Sequence, residues 1–162
     1  MRMSTRRAIT TLATTLALTV VGVSAAHAGP ADDLQALVDS ILENHPGGAQ
    51  TGPNTIEWED GTILLTLEVE GTASRSVGSC ATGTYCVYNG PNLTGSSLAF
   101  STCAGSNYST AALPGEVRSA ADAESSGYVQ AKNGGGSVLA TIFAGTALNT
   151  APVGITQVRC VP

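Results

Sequence analysis

Histidine, lysine and aromatic side chains are scarce in this 162-residue chain. It has two histidines, one tryptophan, four tyrosines and two phenylalanines, and charged residues make up 12% of it. The one lysine is Lys132, and no cysteine occurs before Cys80. The longest uncharged apolar run, Ala8 to Val23, is shorter than the roughly 20 residues that cross a bilayer. Each shortage excludes something. His45 is the only histidine beyond the first 28 residues, so a Ser-His-Asp or Cys-His arrangement has one base to draw on. It sits in a His-Pro-Gly-Gly turn, where a helix-terminal surface role is expected. No C-x2-C is present, so a zinc site lacks its usual spacing. Gly134-Gly135-Gly136-Ser137 has no following lysine and reads as a turn rather than a phosphate cradle. Glu57, Glu59 and Asp60 cluster, but the aromatic content of 4% leaves little with which to line a sugar cleft for a paired-carboxylate hydrolase. No nucleophile, base and orienter occur together, and the expectation is a protein that is not an enzyme and holds no cofactor.

The opening residues have an address of their own. Arg2, Arg6 and Arg7 precede the apolar run, and Ala26-His27-Ala28 forms a small-x-small cleavage site. Residues 1–28 are therefore expected to be a secretory signal peptide. Its removal takes three of the seven basic residues and none of the twelve acidic ones, leaving a net charge of −8. Such a chain disfavours nucleic acid and anionic membrane as partners. Four cysteines on an exported chain imply disulfides.

After the leader, Ala31 to Asn44 has helical periodicity: Leu34, Leu37, Val38, Ile41 and Leu42 share one face. Asp32 and Asp33 suit the first turn, and Pro46-Gly47-Gly48 ends the element. Two strand-like runs, Ile56 to Glu59 and Thr62 to Val69, flank Asp60-Gly61, a hairpin signal. Residues 29–71 form this helix-hairpin segment, which either packs on the cysteine-bearing domain or is a pro-region. Residues 72–79 are small and polar, and read as a linker. Residues 80–162 read as short strands at 85–89, 97–101, 127–132, 138–144 and 155–161, divided by turns. That spacing predicts a mainly β, Greek-key sandwich, small-cored and stapled by disulfides.

Four cysteines allow three connectivities. The six-residue separation of Cys80 and Cys86 suits a tight loop around Gly83, which leaves Cys103 to pair with Cys160. Asp122 and Glu124 are expected to be solvated loop charges rather than calcium ligands. Tyr85, Tyr88, Tyr108 and Tyr128 are expected in hairpin cores, with stacking on sugars as the alternative.

The segment Cys80-Ala81-Thr82-Gly83-Thr84-Tyr85-Cys86, followed by Tyr88-Asn89-Gly90-Pro91-Asn92-Leu93-Thr94-Gly95, resembles the secreted peptidase-inhibitor family I36, the family of the Streptomyces metalloproteinase inhibitor. That family typically shows C-P-x-G-x-x-C, then an aromatic residue and a glycine near this offset. The same segment looks like a βγ-crystallin Greek key, with Leu93 in place of the second aromatic and Gly95 at a backbone angle that other residues avoid. The clear resemblance covers about 25 residues. It implies a βγ-crystallin-like domain and a secreted, monomeric inhibitor whose partner is a secreted metalloprotease, blocked by stoichiometric binding. Inhibitors of this type present a loop held by a second short disulfide ring. Cys103 and Cys160 are far apart in sequence, so no reactive-loop residue carries over. Residues 104–116, read as irregular and anchored by Cys103, are the expected location of any inhibitory loop. The alternative is a non-inhibitory structural or cell-wall and carbohydrate-binding module.

Overall fold

The computed structural model describes residues 29–69 and 80–162. The expected signal peptide at 1–28 and the linker at 72–79 lie outside the described residues. One helix, α1 (Pro30–Asn44), precedes eleven strands: β1 (Ala49–Gly52), β2 (Thr55–Trp58), β3 (Ile63–Thr66), β4 (Tyr85–Tyr88), β5 (Ser97–Phe100), β6 (Asn107–Ser109), β7 (Ser119–Asp122), β8 (Tyr128–Lys132), β9 (Val138–Phe143), β10 (Thr146–Leu148) and β11 (Gln157–Val161). They form two sheets. The first has the order β1-β2-β3-β5-β4-β7-β10, the second β6-β11-β8-β9. All pairings are antiparallel.

The order shows a strand exchange. Strands β4 to β7 form one four-strand motif and β8 to β11 a second, and each motif lends its third strand to the other's sheet. The two sheets are thereby tied together through β6 and β10, so neither can detach alone. The expected strands are present with trimmed ends. Strands β1, β6, β7 and β10 were not legible, because three or four small or polar residues give no alternation to detect.

The helix begins on Gly29, whose backbone N–H donates to Asp32 Oδ2 at 3.0 Å, with Pro30 in the first turn. It buries Val38 and Ile41, while Leu37, counted in the expected apolar face, is 40% exposed. Strand β3 pairs with β5 from Ile63↔Phe100 to Thr66↔Ser97. The helix and hairpin therefore continue the first sheet, and Val38, Ile41, Ile56, Leu65 and Leu67 join one core with Tyr85, Leu98, Phe100 and Val158. Tyr85 stacks on Phe100 at 5.1 Å, and Phe100 meets Tyr108 at 5.4 Å. A fully buried side chain of this size contributes about 2 kcal/mol.

The hairpin β4–β5 folds over its own sheet. Cys86, Tyr88 and Leu93 form a second buried cluster on the opposite face. The Leu93 N–H donates to Ser119 Oγ at 2.9 Å, and that hydroxyl donates to the Gly90 carbonyl at 2.6 Å. Gly95 adopts φ +83°, and an added Cβ there would run into Asn89 Oδ1.

Asp122 corrects the expectation of a solvated loop charge. It closes β7, opposite Tyr85 of β4, and is 1% exposed. Its side chain lies on the inner face because side chains alternate along a strand, and residue 122 falls in phase with buried Ala120. Oδ1 accepts from the Glu124 backbone N–H at 3.0 Å, whereas Oδ2 has no hydrogen-bond partner among the described residues. Burial pushes the carboxyl above its ordinary range, against the smaller lowering effect of that backbone bond. An acid whose folded pKa is raised releases its proton more readily when unfolded. Its contribution to stability is thus present below about pH 4 and is lost as pH rises through the folded value. Urea midpoints across this range should fall with pH in the native chain, and the Asp122→Asn variant should lose that slope. An unchanged slope in the variant would assign the effect to another group.

Candidate interaction face of the second sheet

Strand β9 is an edge of the second sheet. Edge strands are normally blunted by charge, proline or a short length, yet Val138-Leu139-Ala140-Thr141-Ile142-Phe143 has six residues and no charge. Only Ile142 is buried; Val138, Leu139 and Phe143 are exposed, Phe143 by 62%. The register explains this. Val129 and Ala131 of β8 point to the core, so Tyr128, Gln130 and Lys132 face outward. Thr141 lies opposite Gln130 and Phe143 opposite Tyr128. The Tyr128 and Phe143 rings sit 6.3 Å apart, tilted. On β11, Val158 and Cys160 are buried, and Gln157, Arg159 and Val161 alternate outward.

The electrostatics of this face differ from those of the rest of the chain. All twelve acidic residues fall between Asp32 and Glu124, and none occurs from Ser125 to Pro162. The face carries Lys132 and Arg159. Lys132 Nζ donates to Asn107 Oδ1 of β6 at 3.2 Å. A weakly basic, apolar surface thus lies on an acidic protein. The chain order from β8 to β11 brings it together. No single segment of the sequence displays it.

The cysteines are paired as Cys80–Cys86, with Cα atoms 5.7 Å apart, and Cys103–Cys160, at 4.9 Å. The first closes a turn in which Gly83 has φ +79° and donates its N–H to the Ala123 carbonyl. The second ties the segment after β5 to β11, joining the two sheets. The Glu124 carboxylate approaches both sulfurs of this bridge, but a disulfide offers no thiolate to a metal.

Residues 104–116 are irregular apart from the short strand β6 (Asn107–Ser109). They contain β6, paired with β11, and Thr110 and Leu113 are buried. The Thr110 N–H donates to the Thr156 carbonyl at 3.0 Å. The expectation of an irregular segment missed only β6 and its pairing with β11. Its alternation, Asn107 and Ser109 out and Tyr108 in, was too short to register. Tyr85 and Tyr88 are 1% exposed and cannot stack on a ligand, whereas Tyr108 and Tyr128 are half-buried. His45 caps the end of α1, its N–H donating to the Ile41 carbonyl, and Glu59 and Asp60 occupy the turn between β2 and β3.

Residues 73–141 match the family model for peptidase inhibitor family I36. No curated protein and no solved structure matches the chain. The match runs from before β4 into β9, leaving α1, β1 to β3, β10 and β11 outside it. Residues 73–141 are thus similar to peptidase inhibitor family I36, a family of inhibitors rather than enzymes.

Proposed function

We propose that the protein is an exported, monomeric inhibitor that binds a secreted metallopeptidase stoichiometrically through the outer face of the second sheet. The family match over residues 73–141 carries the inhibitor reading. The resemblance of Cys80–Gly95 to a family that contains metalloproteinase inhibitors supports the choice of target. Two disulfides and no free cysteine among the described residues support an oxidising compartment. Edge β9 supports the contact surface: peptide-binding clefts take up extended chain by adding a strand, and β9 is extended, uncharged and, among the described residues, unpaired on its outer side.

The test titrates a thermolysin-like zinc protease with the oxidised chain lacking residues 1–28. Residual activity should fall linearly to a one-to-one endpoint, with the added chain intact. Phe143→Glu places a charge on the edge strand of the face and should weaken inhibition by about thirtyfold without lowering the melting temperature, since residue 143 is mostly exposed. Inhibition of a serine protease alone would retain the family activity and remove the metallopeptidase reading. Digestion of the chain, or no loss of activity with either enzyme at large excess, would leave the fold without this function.

A further inference from the structure

A groove lies where the helix-hairpin segment meets the segment matched by the family model. One part has a volume of about 510 Å³ and is lined by Asn44, His45, Trp58, Glu59, Asn107 and Tyr108 among others. A second hollow of about 470 Å³ shares Asn44, His45 and Ala112 with it and continues along α1 over Leu37 and Leu113. The two make one elongated trough. Its wall comes partly from residues 37–63, outside the family match, and partly from residues 98–114, within it.

The chemistry of the wall is specific. Trp58 is the chain's only tryptophan. Its indole N–H already donates to the His45 carbonyl at 3.0 Å, so the ring is held in place and has only its apolar surface left to offer. Tyr108 is held too, its ring packed on Phe100. Around these two fixed rings stand groups of both hydrogen-bonding kinds. Glu59 is an exposed acceptor. Asn107 receives Lys132 on Oδ1, which orients its amide so that Nδ2 remains a donor. Ser109 supplies a hydroxyl. Among the described residues, no Lys or Arg lines either hollow. Glu59 is presented from a turn in which it and Asp60 both adopt left-handed backbone, φ 52° and 51°, a conformation that costs free energy in residues other than glycine.

Flat apolar rings beside mixed donors and acceptors match a ligand with apolar C–H faces and a rim of hydroxyls. The carboxylate and the lack of cationic wall residues select against acidic ligands. We infer that this trough is a binding site for a neutral oligosaccharide, stacked between Trp58 and Tyr108 with hydroxyls on Glu59 and Asn107. The trough meets the outer face of the second sheet at Asn107, whose side chain Lys132 bonds.

Trp58 reports on the trough directly. The oxidised chain lacking residues 1–28 is titrated, following its intrinsic fluorescence, with tetramers of N-acetylglucosamine, of β-1,4-linked glucose and of α-1,4-linked glucose, and with tetragalacturonate as the acidic control. A saturable change is expected with at least one neutral tetramer and none with tetragalacturonate. Glu59→Gln should weaken that binding about tenfold, and Tyr108→Ala about fivefold. Glu59 is exposed, so its variant keeps the test valid if Tyr108→Ala does not fold. The inference is overturned if no neutral tetramer gives a saturable change. It is equally overturned if tetragalacturonate binds as well, or if Glu59→Gln binds as tightly as the native chain. None of these readouts depends on peptidase inhibition.

Discussion

A chain that starts at Cys80, without α1 and β1 to β3, is expected to lose cooperative folding. The reason lies in β3. It pairs with β5 along the whole length of both strands, and its removal leaves the β5 backbone as a new edge. Five buried side chains leave with the segment: Val38, Ile41, Ile56, Leu65 and Leu67. At about 2 kcal/mol for each, the loss is on the order of 10 kcal/mol, comparable with the whole stability of a domain this size. Leu98 and Phe100, now fully buried, would face solvent on that side. Circular dichroism during urea titration checks this. The family match starts at residue 73 and makes the opposite outcome meaningful. A truncated chain that still unfolds in one sharp transition would show a self-sufficient inhibitor domain and a detachable pro-region at 29–71.

The two disulfides are expected to differ in what they contribute. Replacing Cys103 and Cys160 by serine opens a loop with a sequence separation of 57, and the chain-entropy relation puts the loss at about 4 kcal/mol. Replacing Cys80 and Cys86 opens one of 6, with a loss of about 2 kcal/mol. The long bridge also joins β11 to the segment following β5 in the other sheet. Its loss should therefore loosen sheet-to-sheet packing and expose the Tyr85–Phe100–Tyr108 cluster to solvent, read as a weaker near-ultraviolet signal. Urea midpoints of the two double variants at equal m-value give the ranking. Equal losses would mean that the unfolded chain is already compact and that closing the long loop costs it little.

The β4–β5 hairpin was legible because its signals are local. Alternating Tyr85, Val87, Leu98 and Phe100 need only their neighbours to mark two strands, and Gly95 marks the turn by its backbone alone. The amphipathic stripe of α1 was legible for the same reason, although Leu37 shows that a stripe names a face and not how far the covering extends. Asp122 was misread because a charge beside Ser, Ala and Glu looks like a loop. Only its pairing with Tyr85 puts it in the core. Within residues 104–116 only β6 was missed, because a three-residue strand is recognised by its partner β11, not by its own composition.

The sequence alone determined the mainly β class, the helix-hairpin that precedes it, and the family segment around Cys80 and Cys86. Those properties rest on short-range periodicity, turn chemistry and the spacing of cysteines. The tertiary structure decided the exchange of β6 and β10 between sheets, the continuation of the first sheet by β3, the acid-free face around Phe143, and the trough between Trp58 and Tyr108. Each of these joins residues tens of positions apart, and such contacts form only when burial of a shared core offsets the entropy of closing the chain between them.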